Sequence, residues 1–182
     1  MTSGSRERSH WIFGYGSLIW RADFPFRERA PASIRGWTRR FWQGSHDHRG
    51  LPHAPGRVVT LVPVADAACD GVGYLIEEDV FAHLDEREKN GYERHAVTLE
   101  FIGGASAPGV VYIAPQNNHA FLGDADPDEM AAHIHRSAGP SGRNADYLLE
   151  LARALRELGA EDLHVFDLER RVRRLQSRRH SG

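Results

Sequence analysis

Phe13-Gly-Tyr-Gly-Ser-Leu-Ile-Trp20 is an apolar run that breaks at two glycines flanking a tyrosine. Glycine lets a backbone approach a bound group closely and take dihedrals closed to other residues. Successive free N–H groups in such a loop hold a carboxylate or a developing oxyanion. The glycine spacing is that of neither a dinucleotide fingerprint nor a P-loop, so phosphate cradling is not expected. Read on packing alone, the loop is a tight turn against a core aromatic. The second candidate is Glu86-Arg-Glu-Lys-Asn-Gly-Tyr92, at the end of an expected helix. A charge run there is ordinarily a solvated face. A glutamate at that position also meets the negative end of the helix macrodipole. An inward-facing Glu88 would exchange a proton there as a general base or shuttle.

A third segment, Arg39-Arg-Phe-Trp-Gln-Gly-Ser-His-Asp-His-Arg-Gly50, alternates His46 and His48 about Asp47. Alternate strand residues share a face, and His53, His133 and His135 could be drafted as further ligands. No zinc-hydrolase signature completes the set, so no metal site is expected. Arg39, Arg40, Arg49 and Arg57 fit a carboxylate-reading cluster better. Ser17 lacks the Gly-x-Ser-x-Gly elbow of a serine hydrolase. Cys69 has no activating neighbour and is expected to be structural. Trp11, Trp20, Trp37 and Trp42 read as core or pocket wall.

These segments need elements to position them. Runs rich in β-formers at 11–15, 34–42, 57–64, 72–76, 95–102 and 110–114 predict six strands and a closed or nearly closed sheet. Helices are expected at 78–89, stopped by Asn90-Gly91, and from Pro127 to 138, with Asp126 as N-cap and Glu129 three residues on. Two more cover 144–158, closed by Gly159, and 162–175. Strands first and helices later predict an α+β fold: a small mixed β-barrel-like sheet flanked by helices.

The chain has 182 residues, enough for one domain with a real core. Residues 1–9 are expected as a tail, 10–176 as a single domain and 177–182 as a second tail. Basic residues number 23 and acidic ones 25, so no nucleic-acid or anionic-membrane partner is called for. The single cysteine excludes an internal disulfide framework. No run approaches the ~20 apolar residues of a membrane span, and no signal-peptide core opens the chain. A cytoplasmic protein is expected; its oligomeric state is not encoded legibly. The arginine-rich stretch from Arg170 onward reads as a solvated helix end.

From about Trp11 to about Leu175, the chain resembles the ChaC-like γ-glutamylcyclotransferases that act on glutathione. The blocks that carry the resemblance run in order: 13–20, 39–45, Asp47-His-Arg-Gly50, Pro55-Gly-Arg-Val-Val-Thr-Leu61, Arg87-Glu88, Gly91-Tyr92, Tyr112-Ile113, Phe121-Leu-Gly123, and Gly139-Pro-Ser-Gly-Arg-Asn144 with Tyr147. The resemblance implies a γ-glutamylcyclotransferase-like fold and conversion of glutathione to 5-oxoproline and Cys-Gly. The substrate's own α-amine attacks its γ-carbonyl, with no cofactor or metal. Glu88 would be the acid/base. Tyr15, Gly16, Ser17 and Leu18 would hold the γ-glutamyl group, with Tyr112 and Tyr147 as pocket tyrosines. Arg57, with Gln43, Ser45 and 47–49, would read the Cys-Gly end. Two positions depart from the family pattern: Asn90 stands for a frequent glycine and Phe121 for a frequent tyrosine. Other γ-glutamyl dipeptides or amines are the alternative substrates. The family's association with bacterial cation transport implies a regulatory binding module as a further alternative.

Overall fold

The computed structural model describes residues 8–88 and 91–178. Five strands, β1 (Ser9–Gly14), β2 (Glu28–Ser45), β3 (Gly56–Glu77), β4 (Glu93–Phe101) and β5 (Ser106–Ile113), close into a barrel in the order β1-β3-β2-β4-β5. Every seam is antiparallel except β1 with β5, where Trp11 and Ile12 lie beside Gly109 and Val110. A Cβ on Gly109 would stand 2.7 Å from the Trp11 carbonyl oxygen, so this close parallel seam requires glycine. Phe13, Ala32, Ile34, Leu61, Cys69, Leu99, Val111 and Ile113 pack together as the smaller of two buried clusters.

The expected closed sheet is borne out, with one strand fewer. The runs at 57–64 and 72–76 are two halves of β3. Between them, residues 64–67 stand opposite Gly36 alone, because the pairing jumps from Arg35 with Ala68 to Trp37 with Pro63. Gly36 at φ +84 and Asp66 at φ +64 make the bend. The alanine- and aspartate-rich stretch reads as a turn by composition. Pairing with β2 nonetheless resumes beyond the bulge.

Helices α1 (Glu78–Glu88), α2 (Pro127–Arg136), α3 (Asn144–Glu157) and α4 (Leu163–Arg178) match the expected ones closely. The Asp126 side chain accepts from the Asp128 and Glu129 amides, the expected cap. Helix α2 stops at Arg136 rather than 138, because Ala138–Gly139 (β6) pairs with Gly142–Arg143 (β7) in a small hairpin. Helix α4 runs past 175 on an arginine ladder, with Asp167 paired to Arg171 and Glu169 to Arg173 one turn apart. The boundaries drawn for the tails therefore move slightly: Ser9 belongs to β1, and residues 177–178 belong to α4. Arg8 precedes β1 without regular structure; residues 1–7 and 179–182, and Lys89-Asn90, lie outside the described residues. The larger core fills the space between barrel and helices, with Ile12, Phe41, Val72, Ile134, Leu148, Leu151 and Val165 all sealed from solvent.

Candidate active site

Strand β1 delivers the chain at Gly14 into Tyr15 and Gly16, then into one tight turn over Ser17–Ile19. The Ile19 amide closes that turn on the Gly16 carbonyl at 3.0 Å. Among the described residues, none accepts a hydrogen bond from the Gly16, Ser17 or Leu18 amides. These are the donors that the sequence places in a carboxylate- or oxyanion-holding loop. Gly16 is packed tightly, since a Cβ there would lie 3.1 Å from both the Tyr147 Oη and the Val59 Cγ2. The loop thus rests on β3 and α3.

Tyrosines line the neighbourhood. The Tyr15 hydroxyl donates to the Tyr112 carbonyl oxygen at 2.8 Å. The Tyr112 hydroxyl donates in turn to Asp85 Oδ1, also at 2.8 Å. Tyr147 lies edge-on to Trp20 and Phe41 and accepts weakly from the Val59 amide. Burial pushes the Tyr15 phenol well above its usual value, and the nearby Tyr92, Tyr147 and Glu88 add to the shift. Burial raises Tyr112 too, helped by its hydrogen bond to Asp85 and opposed by Arg94. Burial dominates at Tyr147, against the Val59 amide. All three remain protonated donors at neutral pH.

Glu88 is the last residue of α1. Its charge is felt at Tyr15, Tyr92 and Tyr112. Its side chain is 24% exposed, open enough to exchange a proton with a bound molecule. Arg87 donates to Glu88 Oε1 through Nε at 3.1 Å and a terminal nitrogen at 2.9 Å, and also grips Asp23 at 3.0 Å. That guanidinium opposes the helix dipole at the carboxylate. The turn after α1 continues through Gly91 at φ +121, and the Tyr92 amide returns to the Glu88 carbonyl at 3.1 Å.

The structure therefore brings Glu88, Tyr15, Gly16, Tyr112 and Tyr147 into one neighbourhood, with Ser17 and Leu18 continuing the loop. Arg57 is placed differently from the expectation. It is 6% exposed; its guanidinium donates to the Phe41 and Gly123 carbonyls, both at 2.9 Å, and to His133 Nδ1 at 3.2 Å. Asn144 clasps its backbone N–H and carbonyl at 2.8 and 2.7 Å. A guanidinium so engaged is a strut between β3, α2 and the 121–125 segment. Gln43 is likewise committed to Asn118, and Ser45 Oγ to the Arg49 amide. Arg49 itself stands over the Tyr147 ring at 5.7 Å, and the charge of Asp47 reaches Tyr92.

Two participants escaped the sequence reading: Asp85 and Asp23 touch the network, but no spacing rule marks them, while Tyr92 was quoted within its segment and given no role. Asp85 lies three residues before Glu88, one helical turn away, the only local signal available. His46 and His48 point to different partners, the Pro52 carbonyl and Ser141 Oγ. Among the described residues, no three histidine, cysteine or acidic side chains converge as metal ligands. Cys69 is buried, and burial pushes its thiol up to about 11. It lines a separate cavity of about 220 Å³ with Arg40, Asp162 and His164, away from Glu88.

Barrel, loop and helix-end glutamate together define a γ-glutamylcyclotransferase-like α+β protein. The ChaC-like protein family model matches residues 10–175, and the chain belongs to that family. It is 44% identical to γ-glutamylcyclotransferase 2-3 of Arabidopsis thaliana, over 92% of this chain and 90% of that protein. It is 38% identical to the glutathione-specific γ-glutamylcyclotransferase of Schizosaccharomyces pombe, over 96% and 97%. The crystal structure of a yeast γ-glutamyl cyclotransferase specific to glutathione superposes with a TM-score of 0.83 at 30% identity, covering 92% of this chain and 99% of that one. No described helix is long and apolar enough to cross a membrane.

Proposed function

We propose that this protein is a glutathione-specific γ-glutamylcyclotransferase that releases 5-oxoproline and Cys-Gly. The observation that carries the reading is that Glu88 lies within electrostatic reach of Tyr15 and Tyr112, near a loop whose Gly16, Ser17 and Leu18 amides meet no acceptor among the described residues. The relatives named for this activity support it. A cytoplasmic location fits that substrate and the lone, reduced cysteine.

The reaction makes and breaks one C–N bond each. The α-amine of the γ-glutamyl group attacks its own γ-carbonyl carbon. The amide bond to the cysteinyl nitrogen then breaks. Because the nucleophile belongs to the substrate, no activated serine or cysteine is required. Folding the substrate into near-attack geometry is worth up to about 7–11 kcal/mol in favourable intramolecular cases. Glu88 takes the proton from the attacking amine and returns it to the leaving amine. The Gly16, Ser17 and Leu18 amides receive the charge that develops on the carbonyl oxygen. In place of Arg57, whose guanidinium is engaged, Arg49 beside Tyr147 is assigned the carboxylate at the far end of the substrate.

Purified protein is incubated with glutathione and assayed for both products. Equal release of 5-oxoproline and Cys-Gly, lost in a folded Glu88→Gln variant, is the expected result. Glutamine keeps the shape but cannot carry the proton. A folded Glu88→Gln protein with wild-type turnover would refute the assignment. The Arabidopsis relative is named without a substrate restriction, so γ-Glu-Ala belongs in the same assay; equal turnover of the two would make the enzyme a general γ-glutamyl cyclase.

A further inference from the structure

We propose that Arg39 is a positioning residue for this reaction, holding the Tyr15–Gly16 peptide so that the Gly16 N–H faces the substrate. The inference rests on the cyclotransferase reading above. Arg39 is 2% exposed, one of the largest side chains sealed in the molecule. Its three arms reach three elements. Nε donates to the Tyr15 carbonyl at 2.7 Å, one terminal nitrogen to Asp162 Oδ2 at 2.6 Å, and the other to the Asp70 carbonyl on β3. Asp162 also caps the first turn of α4 by accepting from the Val165 amide at 3.1 Å.

The geometry of the peptide unit turns that contact into a catalytic consequence. In a trans peptide, C=O and N–H of the same unit point in opposite directions. Fixing the Tyr15 oxygen toward Arg39 therefore fixes the Gly16 N–H toward the other side, where no protein acceptor meets it among the described residues. Glycine on one flank of this unit leaves its rotation otherwise cheap. A donor that must meet an oxyanion is useful only when it is held in advance. Arginine is needed because its planar fork serves three acceptors at once, which a lysine ammonium on a flexible stem does not reproduce.

Stability alone accounts poorly for such a residue. A buried ion pair is costly to desolvate, and apolar replacements of similar volume are often neutral or stabilising. Burial works against the charge of Arg39, and the Asp162 carboxylate counters it. The pair lies in the wall of the 220 Å³ cavity, on the side of the barrel where α4 begins. The entry of α4 is in this way wired to the site through one side chain.

Wild type, Arg39→Met, Arg39→Lys and Asp162→Asn are compared for 5-oxoproline release per folded molecule and for the Gly16 amide resonance of the free protein. Arg39→Met is expected to lose up to ~10²–10³-fold in kcat, the scale of one oxyanion donor, with KM changed far less. The Gly16 resonance should move with it. Arg39→Lys should recover little, and Asp162→Asn should show a smaller loss because asparagine still caps α4. If Arg39→Met does not fold, Arg39→Lys and Asp162→Asn carry the same comparison. Folded variants with wild-type kcat and an unmoved Gly16 resonance would overturn the proposal. A wild type inactive on every γ-glutamyl substrate would instead overturn the cyclotransferase reading, while a Gly16 shift would still report the anchoring.

Discussion

The Tyr15 hydroxyl is tied to the Tyr112 carbonyl oxygen across 2.8 Å, although 97 residues separate them. The tie continues through the Tyr112 hydroxyl to Asp85, which also receives Arg94 at 3.0 Å. Asp85 lies one turn before Glu88 on α1. Two hydrogen bonds thus connect the 15–18 loop to the helix that ends at Glu88. A buried network whose members are satisfied holds a single arrangement. The placement of the end of α1 against the 15–18 loop is set by that arrangement.

Asp85→Leu is expected to destabilise the protein by about 1–3 kcal/mol, because the Tyr112 hydroxyl loses its buried acceptor, while the half-exposed Arg94 turns to water at little cost. Turnover should fall in the molecules that remain folded, since α1 loses its tie to β5. Asp85→Asn keeps an acceptor oxygen for Tyr112 and should restore most of the stability. Urea unfolding with parallel kinetics measures both. A leucine variant as stable and active as wild type would dismiss the network.

Gly16 is expected to tolerate no side chain without adjustment. An alanine Cβ would sit 3.1 Å from both Tyr147 Oη and Val59 Cγ2, so a neighbour must yield by some tenths of an ångström. Gly16→Ala should cost about 1–2 kcal/mol, in the range of overpacking, and lower kcat by displacing the loop. In a Tyr147→Phe background the stability cost should shrink, because one of the two contacts is gone. Thermal unfolding of the four proteins of this double-mutant cycle gives the coupling. Strict additivity would show that Gly16 and Tyr147 do not meet.

Periodic and local signals made much of this legible beforehand. The Asp126 cap, the Gly159 stop and the amphipathic spacing of α3 each have a short-range cause, and each stands where the sequence puts it. Glu88 and the 15–18 loop were legible as candidates through a helix end and a glycine pair. That they belong to one site was implied only by the family resemblance, because their relative placement depends on barrel closure. Arg57 shows the limit. An arginine in a β-rich run looks the same whether it reads a ligand or braces a strand. Only Phe41, Gly123 and His133, brought in by the fold, decide between the two. The long β3 was divided for a similar reason, since its continuity depends on partners in β2 rather than on its own composition.

His164 is expected to make stability fall on mild acidification. Burial and the nearby Arg40 charge lower its pKa to about 4, and its Nε2 accepts from the Phe41 amide only when unprotonated. In the unfolded chain a histidine titrates near its ordinary value of about 6.5. Above that pH both states are neutral and nothing is lost. Between about 6.5 and 4 the unfolded chain takes a proton that the folded one refuses, so stability declines as pH falls, by up to about 3 kcal/mol. Burial lowers His133 as well, adding in the same direction. His164→Gln retains an acceptor for Phe41 and should flatten the dependence in this window. Melting temperatures of both proteins between pH 7.5 and 4.5 check it, and parallel curves would reject the assignment.

Arg49 is expected to separate substrates by their far end. Its guanidinium lies over Tyr147 and gives one hydrogen bond, to the Arg143 carbonyl at 3.1 Å. Less buried than Arg57, it can present donors to a carboxylate, which guanidinium recognises through paired hydrogen bonds. Arg49→Ala should raise KM for glutathione by ~10-fold or more, the scale of a charge-assisted bond, and leave kcat nearly intact. A γ-glutamylamine without a terminal carboxylate never makes that bond, so its KM should scarcely change. The contrast between the two substrates separates recognition from a fault in folding, which would depress both alike. Equal losses on the two substrates would remove Arg49 from carboxylate reading and leave it as a support for Tyr147.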